Sequence, residues 1–246
     1  MTVTWEEAGW ERLAPGVGRI RLPGWDCTAG LVVGPDAALL VDAGSSLAEG
    51  ARVGAAARAI AGGAVRFLAL THPHFDHVFG AAAVEGAEIY AARGAGCGRG
   101  VYDDERGRAE LVEDAVRNGL DRRVAEEAAA ALVRPGHVVS ARLVLPLGGR
   151  REAVLADVGP GHTGHDLAVL VPGDPAVVFC GDLVEESGEP QAGPDAVPSG
   201  WPAALDRLLA LGGEDALYVP GHGAVVDAAF VRAQRDALAA RFGVSR

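Results

Sequence analysis

The sequence contains no lysine, so every basic side chain is an arginine. The 22 arginines stand against 33 acidic residues, and the formal net charge at pH 7 is −11. A chain this acidic repels the phosphate backbone of nucleic acids unless its arginines are strongly clustered. We therefore expect no nucleic-acid partner.

Long apolar runs are also missing. Glycine, proline and charged residues interrupt every stretch well before the roughly 18 apolar residues that a membrane-spanning helix needs. The first ten residues include Glu6 and Glu7 and lack the cationic and apolar segments of a secretory signal. We therefore expect a cytoplasmic protein with no membrane partner.

Cysteine is scarce, with three residues that lie far apart in the chain: Cys27, Cys97 and Cys180. No C-x-x-C pair is present, and the odd number does not fit a disulfide framework. We expect free thiols that are mostly buried, with Cys180 in the core.

The 246 residues have an ordinary apolar content of 49%, and no linker or low-complexity segment divides them. We therefore predict one domain over residues 1–246. Short apolar strands bounded by glycine or proline precede helices in two successive parts of the chain, and this order suggests two sheets with helices outside them. Residues 101–134 differ in character and are predicted to form a helical insertion of two helices that divide near Asn118 and Gly119.

The most informative segment is the hexapeptide of residues 72–77, which contains His72, His74, Asp76 and His77. Three of the seven histidines of the chain lie in these six residues. Imidazole and carboxylate groups without thiolate are a typical donor set for Zn(II), and non-haem iron or manganese also accepts it. The segment follows a short apolar strand and precedes a helix predicted to begin near Val78, and such strand ends often carry ligand sites.

Three further residues with metal-ligating side chains follow other apolar strands, and a glycine stands beside each of them. They are His162, Asp182 and His222. Glycine lets the backbone approach an ion closely. One structural zinc ion needs four ligands, so a total of seven indicates two ions with positions left open for water or substrate.

These motifs, H-x-H-x-D-H, G-H-T, G-D after a strand and P-G-H-G, resemble those of the metallo-β-lactamase fold superfamily of metal-dependent hydrolases. The resemblance extends from the Val41 to Gly44 segment to His222. It implies an α/β fold, a four-layer αββα sandwich of two mixed β-sheets flanked by helices. It also implies two sets of ligands around a shared carboxylate: His72, His74 and His162 for metal 1, Asp76, His77 and His222 for metal 2, and Asp182 as the bridge.

By the same resemblance, two Zn(II) ions activate a bridging hydroxide that attacks a small ester, thioester, lactone or amide substrate. Asp76 and Asp182 are the residues expected to take part in catalysis, with Asp76 relaying a proton. True zinc β-lactamases generally have cysteine or serine where this chain has Asp182, so the chain is more similar to the thioesterase and lactonase branches.

Several alternatives stay open from the sequence. A mononuclear iron oxygenase of the same fold, similar to persulfide dioxygenases, is the second hypothesis, and a non-catalytic metal-binding accessory protein is the third. Asp42 either steadies the histidine loop or serves only as a turn residue. Trp25 either forms a wall of the substrate site or packs on the first hairpin, and Glu185 and Glu186 are predicted in a solvated loop. The substrate and the oligomeric state stay undetermined.

Overall fold

The computed structural model describes residues 3–94, 102 and 104–244, and Cys97 lies outside them. Twelve strands are found within these residues, in two sheets. The first sheet contains β1 (Glu11–Ala14), β2 (Val17–Arg21), β3 (Thr28–Val33), β4 (Ala38–Val41), β5 (Val65–Ala69), β6 (Glu88–Ala92) and β7 (His137–Val139). The second contains β8 (Arg142–Gly148), β9 (Arg151–Asp157), β10 (Leu167–Val171), β11 (Val177–Glu185) and β12 (Leu217–His222).

Both sheets are mixed. In the first sheet, β1 to β4 are antiparallel neighbours, and β4, β5, β6 and β7 pair in parallel. The second has the order β12-β11-β10-β9-β8, in which only the β11 and β12 pair is parallel. Strand β5 precedes the histidine hexapeptide, β9 precedes His162, and the parallel pair β11 and β12 contains Asp182 and His222.

Helices cover the outer face of each sheet. Their bounds are α1 (Leu47–Ala61), α2 (Phe75–Val78), α3 (Glu105–Arg117), α4 (Arg122–Ala130), α5 (Trp201–Gly212) and α6 (Ala228–Phe242). A short 3₁₀ helix spans Ala81–Ala83. No helix within the described ranges is long and apolar enough to cross a membrane.

Strand β4 shows why the molecule forms four layers. All four of its residues are buried, and its side chains alternate between the two faces of the sheet. Leu40 packs toward α1, α3 and α4, whereas Leu39 and Val41 pack against the second sheet. A third apolar cluster lies between the second sheet and helices α5 and α6. The predicted αββα sandwich is therefore confirmed.

Local signals in the sequence explain several helix ends. Ser46 caps α1 by accepting a hydrogen bond from the backbone N–H of Glu49, and Gly62 ends this helix at a left-handed φ of 67°. The predicted division of residues 101–134 agrees with the structure, since α3 ends at Arg117 and α4 begins at Arg122.

Two sequence predictions about the ligand segments were wrong in detail. The helix expected to begin near Val78 instead begins at Phe75 and ends at Val78. Asp182 does not follow a strand that ends at Cys180, because β11 continues to Glu185 through an irregularity at Gly181, whose φ is 54°. The bend re-aims the strand, and Asp182 lines the cavity of the candidate site.

Candidate metal centre

The histidine loop begins where β5 ends and is fixed by one buried aspartate. Asp42, directly after β4, has a φ of 58°, a conformation that aspartate tolerates better than most residues. Its Oδ1 accepts a hydrogen bond from the Thr71 backbone N–H at 2.8 Å, and its Oδ2 accepts one from the Thr71 hydroxyl at 2.8 Å. The same Oδ2 lies 2.8 Å from Nδ1 of His77. Asp42 therefore steadies both ends of the loop and is more than a turn residue.

The structure brings all seven predicted ligand residues together. One group consists of His72, His74, His162 and Asp182. Oδ2 of Asp182 lies 3.5 Å from Nε2 of His72 and 3.4 Å from Nε2 of His162. Nε2 of His162 lies 3.0 Å from Nδ1 of His74. Four ligands held at about 2.0–2.2 Å from one ion lie about 3.3 Å apart, so this group has the spacing of a coordination shell.

A second group lies on the other side of the same carboxylate and contains His77, Asp182 and His222. Nε2 of His77 is 3.2 Å from Asp182 Oδ1, and Nε2 of His222 is 3.2 Å from Asp182 Oδ2. Oδ2 of Asp76 lies 3.3 Å from Nε2 of His222 and 3.6 Å from Nε2 of His77. Asp182 thus contacts both groups.

In each histidine, one ring nitrogen contacts a hydrogen-bond acceptor, and this contact determines that the other nitrogen is available to bind an ion. Four of the five rings face an acceptor with Nδ1, which leaves Nε2 for an ion, and the fifth faces an acceptor with Nε2. The Nδ1 partners are Thr71 Oγ1 for His72, Asp42 Oδ2 for His77, the Gln191 carbonyl for His162 and the Trp25 carbonyl for His222, and the Nε2 partner is Asp195 Oδ2 for His74. Such outer partners fix the tautomer of metal-binding imidazoles.

Two atoms in the centre test whether a cation fits. Nε2 of His72 and Oδ1 of Asp182 are buried and have no hydrogen-bond partner among the described residues. Nε2 of His77 lies only 3.2 Å from the same Oδ1. In the metal-free protein a proton on the imidazole can offset the charge of the carboxylate, and a cation bound between the two atoms would take the place of that proton and satisfy both. The residues therefore fit a bound metal.

The titration behaviour of the ligands reflects the same crowding. Burial would raise the pKa of Asp182, but the imidazoles of His222 and His77 outweigh it and hold this pKa well below its usual value. Burial opposes a rise at His222, yet Asp182 raises the pKa of His222 to about 10. Burial lowers the pKa of His162 to about 4, so that ring is neutral and ready to bind an ion at neutral pH. Ion binding must displace the proton of His222.

A cavity of about 380 Å³ opens over the ligands. His74, His162, Asp182 and His222 line it, and the remaining wall comes from the loop before β3, from α2, from the end of α3 and from the end of β11 with the segment that follows it. Those wall residues are Trp25, Phe75, Asp76, Asp114, Asn118, Glu185, Ser187, Gly188, Glu189, Gln191, Ala192 and Gly193. A larger concavity of about 680 Å³ at the other end of the sandwich has no histidine or cysteine in its described lining, so the smaller cavity is the candidate site.

Some residues considered in the sequence lie elsewhere or have other roles. The His137 ring is exposed and stacks on Tyr90, away from the cavity. Trp25 does form a wall of the cavity, and its Nε1 donates to the Asn118 carbonyl. Glu185 was wrongly predicted in a solvated loop: it is buried and accepts a hydrogen bond from Ser187, because β11 continues through it. Glu186 is exposed, as predicted.

Two neighbours of the ligands were missed. Asp195 has no local motif that links it to His74, 121 residues away. Cys27 is buried against His77, and its Sγ lies 3.7 Å from both ring nitrogens. An ion bound to Nε2 of His77 would lie closer to Nε2 than to Nδ1, and so would the other ligands of that ion. Because the Cys27 sulfur is equally far from the two nitrogens, it lies beside the ring and outside the ligand set.

Comparison with known proteins gives the same fold. A metallo-β-lactamase from Hirschia baltica is 17% identical with a TM-score of 0.66, covering 93% of this chain and 96% of its own. A metallo-β-lactamase from Pontibacter korlensis is 18% identical with a TM-score of 0.68, covering 92% and 98%. The metallo-β-lactamase FIM-1 from Pseudomonas aeruginosa, in its mono-zinc form, is 21% identical with a TM-score of 0.67, covering 96% of each chain.

No curated protein matches the chain in sequence. The family model of the metallo-beta-lactamase superfamily matches residues 22–222, which include all seven predicted ligands and Asp42. This match covers most of the chain, and the αββα sandwich agrees with it. The chain belongs to the metallo-β-lactamase superfamily.

Proposed function

We propose that the protein is a hydrolase that uses two metal ions, most favourably Zn(II), to cleave a small ester, thioester, lactone or amide. The observation that carries this proposal is the position of Asp182, whose two carboxylate oxygens contact two separate groups of histidines. A single structural zinc ion takes four ligands, whereas the two groups together with Asp76 supply seven candidate ligands. Membership of the superfamily supports metal-dependent hydrolysis as the reaction class.

The residues divide by position into two ligand sets. His72, His74 and His162 would hold the first ion, Asp76, His77 and His222 would hold the second, and Asp182 would contact both. When bound, such ions lower the pKa of water toward neutrality and polarise a substrate carbonyl. The structural neighbour FIM-1 was obtained in a mono-zinc form, which supports zinc as the metal proposed for this chain.

The side chains of this chain then have separate roles around the reacting atoms. Asp76 lines the cavity with Oδ2 next to Nε2 of His222, where it can accept a proton and pass it to a leaving group. Asp42 and Asp195 hold His77 and His74 in the tautomers that leave a lone pair free. Trp25 and Phe75 meet edge to face at 5.2 Å and form the apolar part of the wall.

Metal analysis of protein purified without added metal tests the proposal. We expect close to two zinc ions per chain and hydrolysis of at least one member of a panel of a lactone, a thioester, an ester and an amide. A chelator should abolish this activity, and zinc should restore it. His222→Ala should lose one ion and the activity, whereas His137→Ala, a control at an exposed histidine away from the cavity, should keep both.

The same measurement separates the proposal from its main alternative. Stoichiometric iron with consumption of oxygen would identify an oxygenase of the same fold. Full occupancy by metal with no turnover of any panel member would contradict the hydrolase proposal and favour an accessory protein.

A further inference from the structure

Apart from the histidines of the two ligand groups, the charged side chains that line the candidate cavity are all acidic. Asp76, Asp114, Asp182, Glu185 and Glu189 face it, and its described lining contains no arginine. The sequence has no lysine that could supply the missing positive charge. A substrate that carries a carboxylate, sulfonate or phosphate away from its reacting bond therefore finds no cationic side chain in this wall.

We infer that the protein selects acyl substrates by charge and favours those with a cationic group beside the cleaved bond over neutral and anionic ones. This inference rests on the proposed hydrolase function and names its substrate class. The cavity is marked as a ligand site independently of its acidic wall, because Asp182 lines it and has a buried oxygen without a hydrogen-bond partner among the described residues.

The charge balance of the occupied site supports this preference. Two divalent ions would bring four positive charges, and Asp76, Asp182 and a hydroxide from solvent would offset three of them. The one that remains is outweighed by Asp114 and Glu189, the acidic groups of the rim.

Each rim carboxylate has an arginine nearby, but outside the cavity lining. Arg117 lies 3.1 Å from Asp114, and Arg241 lies 3.5 Å from Glu189. Neither guanidinium group belongs to the described lining of the cavity, whereas both carboxylates do, so a substrate in the cavity contacts the acidic groups.

Trp25 adds a second feature that suits a cation. Its half-buried indole lines the cavity, and the Nε1 hydrogen bond to the Asn118 carbonyl at 3.1 Å fixes the ring next to α3. Asp114 and Asn118 of this same region line the cavity beside it. An aromatic face flanked by carboxylates attracts ammonium groups, whereas a carboxylate or sulfonate gains nothing from it.

Three thioesters of similar size test the inference because they differ mainly in charge. They are S-acetylthiocholine, the S-acetyl derivative of 3,3-dimethylbutanethiol, and the S-acetyl derivative of 2-mercaptoethanesulfonate, whose sulfonate is a weak metal ligand. With zinc-loaded protein at low ionic strength, we expect kcat/KM for the cationic ester to exceed that for the anionic ester by about tenfold, with the neutral ester between them. Added salt should reduce this ratio.

Variants at the rim connect the preference to named residues. Asp114→Asn and Glu189→Gln should each reduce the ratio of cationic to anionic kcat/KM by about twofold to threefold. Both side chains are at least 39% exposed, so neither substitution should impair folding. Glu152→Gln is the matched control, because Glu152 is an exposed residue near the start of β9, at the end of the strand away from the ligands. It should leave the ratio unchanged.

Calorimetric binding of the same three compounds separates this inference from the proposed function. If none of the thioesters is hydrolysed and the wider panel also fails, the hydrolase proposal is wrong, and binding still decides the charge preference. Tightest binding of the cationic compound supports the inference. Equal or tighter binding of the sulfonate, or rim variants that leave the ratio unchanged, would overturn it.

Discussion

Asp42→Asn is the substitution that most directly tests how the centre is built. Asparagine keeps the shape of the side chain and tolerates the left-handed φ of 58° at least as well as aspartate, so the turn itself should survive. One oxygen remains to accept from the Thr71 backbone N–H. The new amide group takes the place of Oδ2, which lies 2.8 Å from both the Thr71 hydroxyl and Nδ1 of His77.

The two partners of that amide group respond differently. The Thr71 hydroxyl can accept a hydrogen bond, so this contact survives. Nδ1 of His77 can accept only if its proton moves to Nε2, and this removes the lone pair that faces the ligand group. We therefore expect the affinity for the ion held by His77 to fall about 10-fold to 100-fold. The lost bond to a charged acceptor should lower the free energy of unfolding of the metal-free protein by about 1.5–3 kcal/mol.

Zinc titration in competition with a chelator measures the two affinities, and urea unfolding measures the stability. Asp36→Asn is the control, because Asp36 is an exposed aspartate in the turn before β4, at the opposite end of the strand from Asp42. If Asp42→Asn binds both ions within about threefold of the original protein, the tautomer argument fails and Asp42 is only a turn residue.

Three further substitutions test other parts of the centre. A methyl group on Gly221 would lie 1.8 Å from Asp182 Oδ1, so Gly221→Ala should weaken zinc binding more than about tenfold in the same titration. Gly164→Ala is the control and should not weaken it, because its methyl group would point into open space. Asp195→Asn keeps its shape but loses its charge, and the histidine it contacts should bind its ion about 10-fold more weakly by zinc titration. Burial raises the pKa of Asp166 to about 7. The contribution of this group to the stability of the metal-free protein is therefore full below pH 3.8 and is lost as the pH rises toward 7, by at most about 1.4 kcal/mol per pH unit. Asp166→Asn should reduce the difference in the free energy of unfolding between pH 5 and pH 8, which urea unfolding measures.

The clustering of the candidate ligands could be predicted from the sequence because each one is a rare side chain in a short, recognisable context. His162 and His222 lie between glycines directly after apolar segments, and the hexapeptide concentrates three imidazoles in six residues. The strands before them are short apolar runs that must be buried in a sheet. Their carboxyl ends therefore meet at one edge, and the ligands with them.

Other parts of the fold give no comparable signal. Strands β1 and β7 are edge strands of four and three residues with partly exposed side chains, so they lack the apolar run that identifies a buried strand. The continuation of β11 through Asp182 depends on a bulge at Gly181, and a glycine after an apolar run reads as the end of a strand. Glu185 is buried because β11 continues to it, and the sequence placed it in a solvated loop because the strand was expected to end before Asp182.

The partners of the histidine protons show where sequence reasoning stops. Asp42 and Thr71 could be considered from the sequence, because their side chains carry the hydrogen bonds. His222 and His162 instead donate hydrogen bonds from Nδ1 to the backbone carbonyls of Trp25 and Gln191. Every residue has such a carbonyl, so residue type gives no signal. Only the path of the backbone determines which carbonyl lies next to each ring. The orientation of these two histidines therefore depends on how the loop before β3 and the segment after β11 fold over the centre.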